Sequence, residues 1–361
     1  EVAEMYQFNF GKSLVDIYDY NVFGNKGYKI IWEKIEPYLT SCKTIYFAPT
    51  HMLSQLALEA LPISIDSVFG DYYSLKRVTS TREILQYKDD INNIGNAILY
   101  GGVVYDVSTD EMKEESMRYA NLDSSVVYLS TDRGSVSYLP GTKKEVETIK
   151  QYLTGQNYNV DLYTGIQANE ESFVNISNKN YNIIHLATHG FFWYSEEAKE
   201  QDIFKQKESD YIDPLSRCGL LFAGANLSLH GQSDQLEEGV DDGVLTAREI
   251  SAMDLSNCEL VVLSACETGQ GEYSQDGTIG LQRAFKKAGA GTILMTLWEV
   301  NDDVTQLLMT SFYDYYTKGM SKHEALKSAQ EEIKKKEFVN EKGIKVSGKN
   351  PQFWGAFILL D

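Results

Sequence analysis

Seven short runs of β-favouring residues, at 43–48, 96–105, 159–165, 182–188, 259–265, 292–298 and 355–360, alternate with stretches of helical period along most of the chain. A run of this length with no polar face suits a strand covered on both sides. Strands separated by helix-length connections pair in parallel, because a parallel partner needs a crossover that returns the chain to the same edge. The pattern predicts an α/β fold with a mainly parallel sheet flanked by helices. Helix signals fill the gaps. Thr142 with Glu145, and Ser321 with Glu324, each fit a capping box. Residues 280–291 read as a helix closed at Gly289, and helical runs also fit 27–38 and 303–318.

Turn residues gather at 130–141, which predicts a boundary between an N-terminal half with a leading helix (1–135) and a C-terminal half (136–361). Two segments without clear period, 191–216 and 227–240, are expected to be loops that gate a groove. Lys and Arg number 33 against 52 Asp and Glu, a net charge of −19, which opposes direct binding to nucleic acid or to an anionic membrane surface. The lysine-rich stretch from Lys327 is interspersed with glutamates and reads as a solvated helix face. Four cysteines (Cys42, Cys218, Cys258, Cys266) show no paired spacing, so neither a zinc site nor a disulfide framework is indicated, and the chain reads as intracellular, hence cytoplasmic. No apolar run approaches 18 residues, no signal-peptide pattern is present, and a start at Glu1 suits a fragment lacking an upstream region.

Two of the strand runs end in reactive residue types. "NIIHLATHG" delivers His189 and Gly190, and "ELVVLSACETG" delivers Cys266. In an open α/β sheet ligands bind beyond the carboxyl ends of the strands, so both side chains are expected to emerge where sites form. A cysteine after a strand is by itself more often a small buried hydrophobe than a nucleophile. Paired with a histidine it has a definite chemistry: the imidazole takes the thiol proton and the thiolate attacks a carbonyl carbon. The amides of Gly190 and Cys266 are placed to hold the resulting oxyanion. His185, earlier on the same strand, reads as a satisfied core histidine, and no third orienting residue is evident. The glycine-rich 269–280 lacks a phosphate-loop Lys-Ser/Thr, and "DDG" (241–243) lacks the other ligands of a calcium loop, so no metal or cofactor is predicted.

These residues sit in a longer series: "LPGTKKEVETI", "LYTGIQANEESF", "IIHLATHGFF", "DPLSRCGLLFAGAN", "DGVLTAREISAMDLSNCELVVLSACETGQG", "GLQRAFKKAGAGTILMTLWEV" and "NPQFWGAFILL". In this order they resemble the CHAT domains, caspase- and separase-like cysteine peptidases, over roughly 139–360. Upstream, 45–63 and 72–85 look like the family's N-terminal half, although "APTHMLSQLALEAL" departs from its usual turn and ending. The resemblance implies a caspase-like fold with an N-terminal pseudo-protease half, catalytic His189 and Cys266, and endopeptidase activity on a protein substrate without a cofactor. It also implies an activating sensor or upstream repeat region, in a bacterial defence or cell-death pathway. A catalytically silent CHAT-type interaction module in a signalling assembly is the alternative.

The strand after the nucleophile strand runs into "WEVNDDV", which places Trp298, Glu299, Asp302 and Asp303 beside the same crevice, with Asp276 on the loop after Cys266. An aromatic wall with carboxylates suits a long cationic side chain. Separases have a similar Trp-acid-Val segment and cleave after arginine, so the resemblance supports a basic residue before the scissile bond, with an apolar one next and an acidic one last, since no arginine pair like that of caspases is apparent. Asp302 or Asp303 also fits an ordinary helix cap.

Overall fold

The computed structural model describes residues 14–85, 95–119, 134–193, 213–264, 271–274, 277–339 and 345–361. Eight strands form the central sheet: β1 (Thr44–Phe47), β2 (Ser74–Arg77), β3 (Asn96–Val103), β4 (Asn159–Gly165), β5 (Ile183–Leu186), β6 (Leu260–Leu263), β7 (Thr292–Thr296) and β8 (Phe357–Leu360). Their spatial order is β1-β2-β8-β7-β6-β5-β3-β4. Every residue of β5, β6, β7 and β8 is buried, as continuous apolar runs require.

The five strands from β4 to β7 are mutually parallel, and so are β8, β2 and β1. The two blocks meet at β7 and β8, which pair antiparallel from Ile293↔Leu360 to Thr296↔Phe357. All seven runs read from the sequence are strands of this sheet. The eighth, β2, has the sequence SLKR, whose Lys and Arg break the apolar pattern that marks the other seven. Arg77 is nevertheless buried: its guanidinium pairs with Glu59 at 3.1 Å and donates to the carbonyls of Leu56 and Ser54.

The boundary expected near 135 does not divide this sheet. β3 lies upstream of it yet sits between β5 and β4, both downstream, so the strands of the two expected halves share one ladder.

Helices flanking the sheet include α1 (Pro140–Gly155), α2 (Leu281–Lys287), α3 (Asp302–Thr317) and α4 (Lys322–Lys334). The capping box at Ser321 and Glu324 is present. The one expected at Thr142 is not, because Pro140 already opens α1 two residues earlier. Thr142 instead donates to the Leu139 carbonyl and accepts from the Gly102 N–H at 2.9 Å, which ties α1 to the end of β3. A Cβ at Gly101 would come within 2.8 Å of the Thr142 carbonyl oxygen, so the close approach of strand and helix depends on glycine there.

A small antiparallel sheet of Gly190–Phe192, Cys218–Leu221 and Val244–Thr246 stands beyond the end of β5. Of the expected gating loops, 194–212 lies outside the described residues. Segment 227–240 is not a free loop. Ser228 and Ser233 are buried and bonded to each other at 2.9 Å, Ser228 donates to the Asp242 carbonyl, and Glu237 pairs with Lys113 at 2.7 Å.

Candidate active site

β5 and β6 pair in register through Leu186↔Leu263, and the ladder continues one step further, with the Ser264 N–H donating to the Leu186 carbonyl at 2.9 Å. The two chains therefore leave the sheet side by side. His189 follows three residues after Leu186, and Cys266 follows two residues after Ser264. Cys266 itself, and Asp276, lie outside the described residues.

His189 is held on three sides. Its N–H donates to the Tyr105 hydroxyl oxygen at 3.3 Å, that hydroxyl donates to Thr188 Oγ1 at 2.9 Å, and Thr188 in turn donates to the Leu221 carbonyl. The His189 carbonyl accepts from the Leu221 N–H at 2.9 Å. The Tyr105 ring lies 5.2 Å from the imidazole, and burial pushes its phenol up to about 12, so it stays a proton donor.

The third hold is on the ring: His189 Nε2 lies 2.8 Å from the Ser137 carbonyl oxygen. A carbonyl only accepts, so Nε2 carries the proton and the lone pair of the neutral imidazole sits on Nδ1. Among the described residues Nδ1 has no hydrogen-bond partner. Ser137 is positioned by Asn226, whose buried amide accepts from the Val136 N–H at 2.9 Å and donates to the Val136 carbonyl at 3.0 Å and to Asp106 at 2.8 Å. The sequence could not announce Ser137, since a backbone carbonyl has no residue signature. Asn226 and Tyr105 become visible only once the chain is folded around His189.

A cavity of about 20 Å³ opens beside this histidine, among Thr188, Ser264, Thr296, Glu145 and Asp302 at the carboxyl ends of β5, β6 and β7. Burial raises the Asp302 carboxyl above its usual range, with His189 opposing that rise and Glu145, Asp303 and Glu299 adding to it. Asp302 thus joins His189 at one locus. Glu299 and Asp303 are exposed. Asn301, not an aspartate, caps α3 by accepting from the Asp303 N–H at 2.9 Å. Trp298 is 6% exposed, stacks on Tyr18 at 4.8 Å and donates its indole N–H to the Gln352 carbonyl, so its ring packs into the core instead of walling the crevice. Gly190 opens the small sheet, paired with Leu220.

His185 has the core role read from the sequence. It is fully buried, with Nε2 2.9 Å from Glu145 Oε1 and Nδ1 3.3 Å from the Tyr313 hydroxyl. Among the other thiols, Cys218 and Cys258 are buried and Cys42 is exposed; burial pushes Cys258 up to about 12.

A second concentration of acids lies under the small sheet. Glu170, Glu171, Asp241 and Asp242 are all buried, and Glu249 is half-buried. The Asp241 N–H donates to Glu171, and the Val244 N–H to Asp242. Burial pushes Glu171 and Asp242 up to about 7 and holds Glu170 well above its usual range, with the neighbouring carboxylates adding to the shift. Among the described residues no group of three or more His, Cys, Asp or Glu is disposed to hold a metal ion, and no helix is long and apolar enough to cross a membrane.

A family model described as CHAT domain matches residues 23–360. Over 117 residues, 32% of the chain, the sequence is 28% identical to tetratricopeptide repeat protein 28 of Mus musculus and, over the same length, 27% identical to that of Homo sapiens. The chain spans only 4% of the length of either protein. Among solved structures it is similar to the complex of Porphyromonas gingivalis RgpB pro- and mature domains (9% identity, TM-score 0.48, 96% of this chain and 71% of that one). It is also similar to the Saccharomyces cerevisiae separase–securin complex (10% identity, TM-score 0.44, 85% of this chain and 14% of that one).

Proposed function

The chain belongs to the CHAT domain family, and from that premise we propose that it is a cysteine endopeptidase working through His189 and Cys266. The observation that carries this reading is the Nε2 contact to the Ser137 carbonyl, which leaves a lone pair on Nδ1 of a histidine at the strand edge where the Cys266 segment also departs. Nδ1 takes the thiol proton. The thiolate sulfur bonds to the scissile carbonyl carbon, and the amides of Gly190 and Cys266 receive the oxyanion. Collapse breaks the C–N bond, His189 returns the proton to the departing amine, and water hydrolyses the thioester. No cofactor enters the scheme.

The residue before the scissile bond is proposed to be basic, with Asp302 as its principal partner, because this carboxylate lines the cavity at the strand ends and interacts electrostatically with His189, Glu299 and Asp303; Asp276 is assigned to the same negative field from its place in the sequence. Trp298 contributes by fixing the start of that segment. An activating partner or upstream repeat region is proposed as well, in line with the repeat-protein names of the relatives, of which this chain matches a small part. A cytoplasmic role in bacterial defence or cell death follows from the same reading.

The test is a peptide-library digest with wild type and Cys266→Ala, followed by matched reporters carrying Arg, Lys, Leu or Asp at the cleavage position. Cleavage by wild type alone, fastest after Arg or Lys, is expected. Equal turnover by both proteins would remove the nucleophile, and preference for Leu or Asp would remove Asp302 from the pocket. If neither protein cleaves any peptide, with or without candidate partners, the silent interaction module takes the place of the peptidase.

A further inference from the structure

At the opposite edge of the sheet, beyond the carboxyl ends of β1, β2 and β8, lies a larger cavity of about 430 Å³. Ligand sites in α/β sheets form at such ends, and the volume is that of a small-molecule pocket. One wall is α2, whose sequence LQRAFKK carries three cations and no acid, in a chain of net charge −19. Arg283, Lys286 and Lys287 all line the cavity, and none forms an ion pair among the described residues. Lys286 is half-buried with its ammonium donating to the Gly291 carbonyl at 2.7 Å, and burial lowers its pKa against the pull of Glu83 and Asp361.

The acids nearby also have other partners. Glu83 accepts from the Thr79 N–H and hydroxyl, Asp361 from His323 at 2.7 Å and Thr292 at 3.1 Å, and Glu59 neutralises Arg77. Ser80 Oγ accepts from the Arg82 N–H, which leaves its hydroxyl proton to donate. Val78 and Met295 supply apolar wall. Three cations and a hydroxyl, together with apolar surface, match an anion of high charge attached to an organic body.

The cavity is also joined to the Cys266 segment. Strands Gly271–Ser274 and Gly277–Gly280 form a hairpin that begins five residues after Cys266 and runs directly into α2. The same hairpin touches the His51–Gln55 turn, whose Ser54 lines the cavity from the other side. Both walls thus bear on one hairpin.

We propose that this cavity binds a small organic phosphate, and that its occupation sets the presentation of Cys266 through the 271–280 hairpin. The second half rests on Cys266 being the nucleophile; the first does not.

The experiment is calorimetric titration of the full chain with AMP, ribose 5-phosphate and inorganic phosphate, repeated on Arg283→Glu/Lys287→Glu, whose two positions are exposed and outside the catalytic machinery. At least one organic phosphate is expected to bind with Kd below about 1 mM, inorganic phosphate about tenfold more weakly, and the variant at least about tenfold more weakly still. No binding by any of the three, or equal affinity in the variant, overturns the site. The rate at which chloroacetamide labels Cys266, in a Cys42→Ser background, is expected to change at least about threefold on saturation in wild type and to stay constant in the variant. Saturated binding with an unchanged labelling rate overturns the coupling. Failure of the peptidase reading is separately visible, as a protein that binds and labels as described yet cleaves no peptide.

Discussion

His185 and His189 leave the same strand four residues apart, and their rings meet different fates. In the interior both nitrogens of His185 are committed, one to Glu145 and one to Tyr313. At the strand end, among the described residues, only Nε2 of His189 is committed, to a carbonyl that fixes the tautomer. Two engaged nitrogens make a cross-brace between β5, α1 and α3, and one engaged nitrogen leaves the other with a lone pair, as the proposed base requires. The difference is set by what surrounds the backbone, not by the residue type.

The strongest way to break this comparison is by substitution at the strand end. Cys266→Ala should lower cleavage by at least about 1,000-fold and His189→Ala by about 100- to 10,000-fold, with the fold retained in both. Near-wild-type kcat/KM from either would place the chemistry elsewhere. The mirror experiment is His185→Phe, which leaves Glu145 buried without its partner and should cost about 3 kcal/mol in urea unfolding, while activity at low temperature stays within about threefold. Loss of activity at unchanged stability would make His185, not His189, the reactive ring.

Asn226→Leu sharpens the contrast by removing the bonds to Val136 and Asp106 and so loosening the segment that carries the Ser137 carbonyl. We expect kcat to fall about tenfold with KM within about twofold, and the pH dependence of kcat/KM to shift as Nδ1 and Nε2 compete for the proton. An equal loss in KM and stability with an unmoved pH profile would reduce Asn226 to a structural bond. Thiol reactivity should divide as the surroundings do. Iodoacetamide should label Cys266 first and the exposed Cys42 next, while Cys218 and Cys258 stay unmodified until unfolding, as peptide mapping would reveal. Early labelling of Cys258 would contradict its burial.

The smallest effect concerns the buried acids under the small sheet. Glu171 and Asp242 have folded pKa values near 7, above their unfolded values of 4.5 and 3.8, so the folded chain binds more protons than the unfolded one. The stability this brings is whole below about pH 4 and is lost as pH rises through 7. Between pH 6 and 8 the melting temperature should fall by about 2–4 °C at constant salt, and Asp242→Asn should flatten the slope. A rising curve over that interval would show these acids to be paired.

How far such differences could be read in advance depends on whether they live in side chains or in the path of the chain. β5, β6 and β7 were legible because a strand buried on both faces must be apolar throughout. His189 was legible because a polar residue and a glycine end such a run. β2 was not, since Lys76 and Arg77 obey no apolar pattern and Arg77 is buried only by virtue of Glu59 and two distant carbonyls. Thr142 and Glu145 have the spacing of a cap but are drawn to Gly102 and His185, partners 40 residues away. Trp298 looked like a pocket wall because nothing local reveals Tyr18 stacked upon it. Long-range pairing is the information a single sequence hides.

The reversal between β7 and β8 bears on how the protein comes into being. β8 is made from residues 357–360, yet it occupies the middle of the sheet and alone links the block ending at β2 to the block ending at β7. During synthesis the two blocks can each collapse early, but they cannot join until Leu360 has cleared the ribosomal tunnel. Before that moment β2 and β7 both present open strand edges, each a template for a stray chain. A force-sensing arrest sequence placed downstream should therefore release only after Leu360 has emerged, and release at a length that still hides residues 357–360 would show that the blocks close without their keystone.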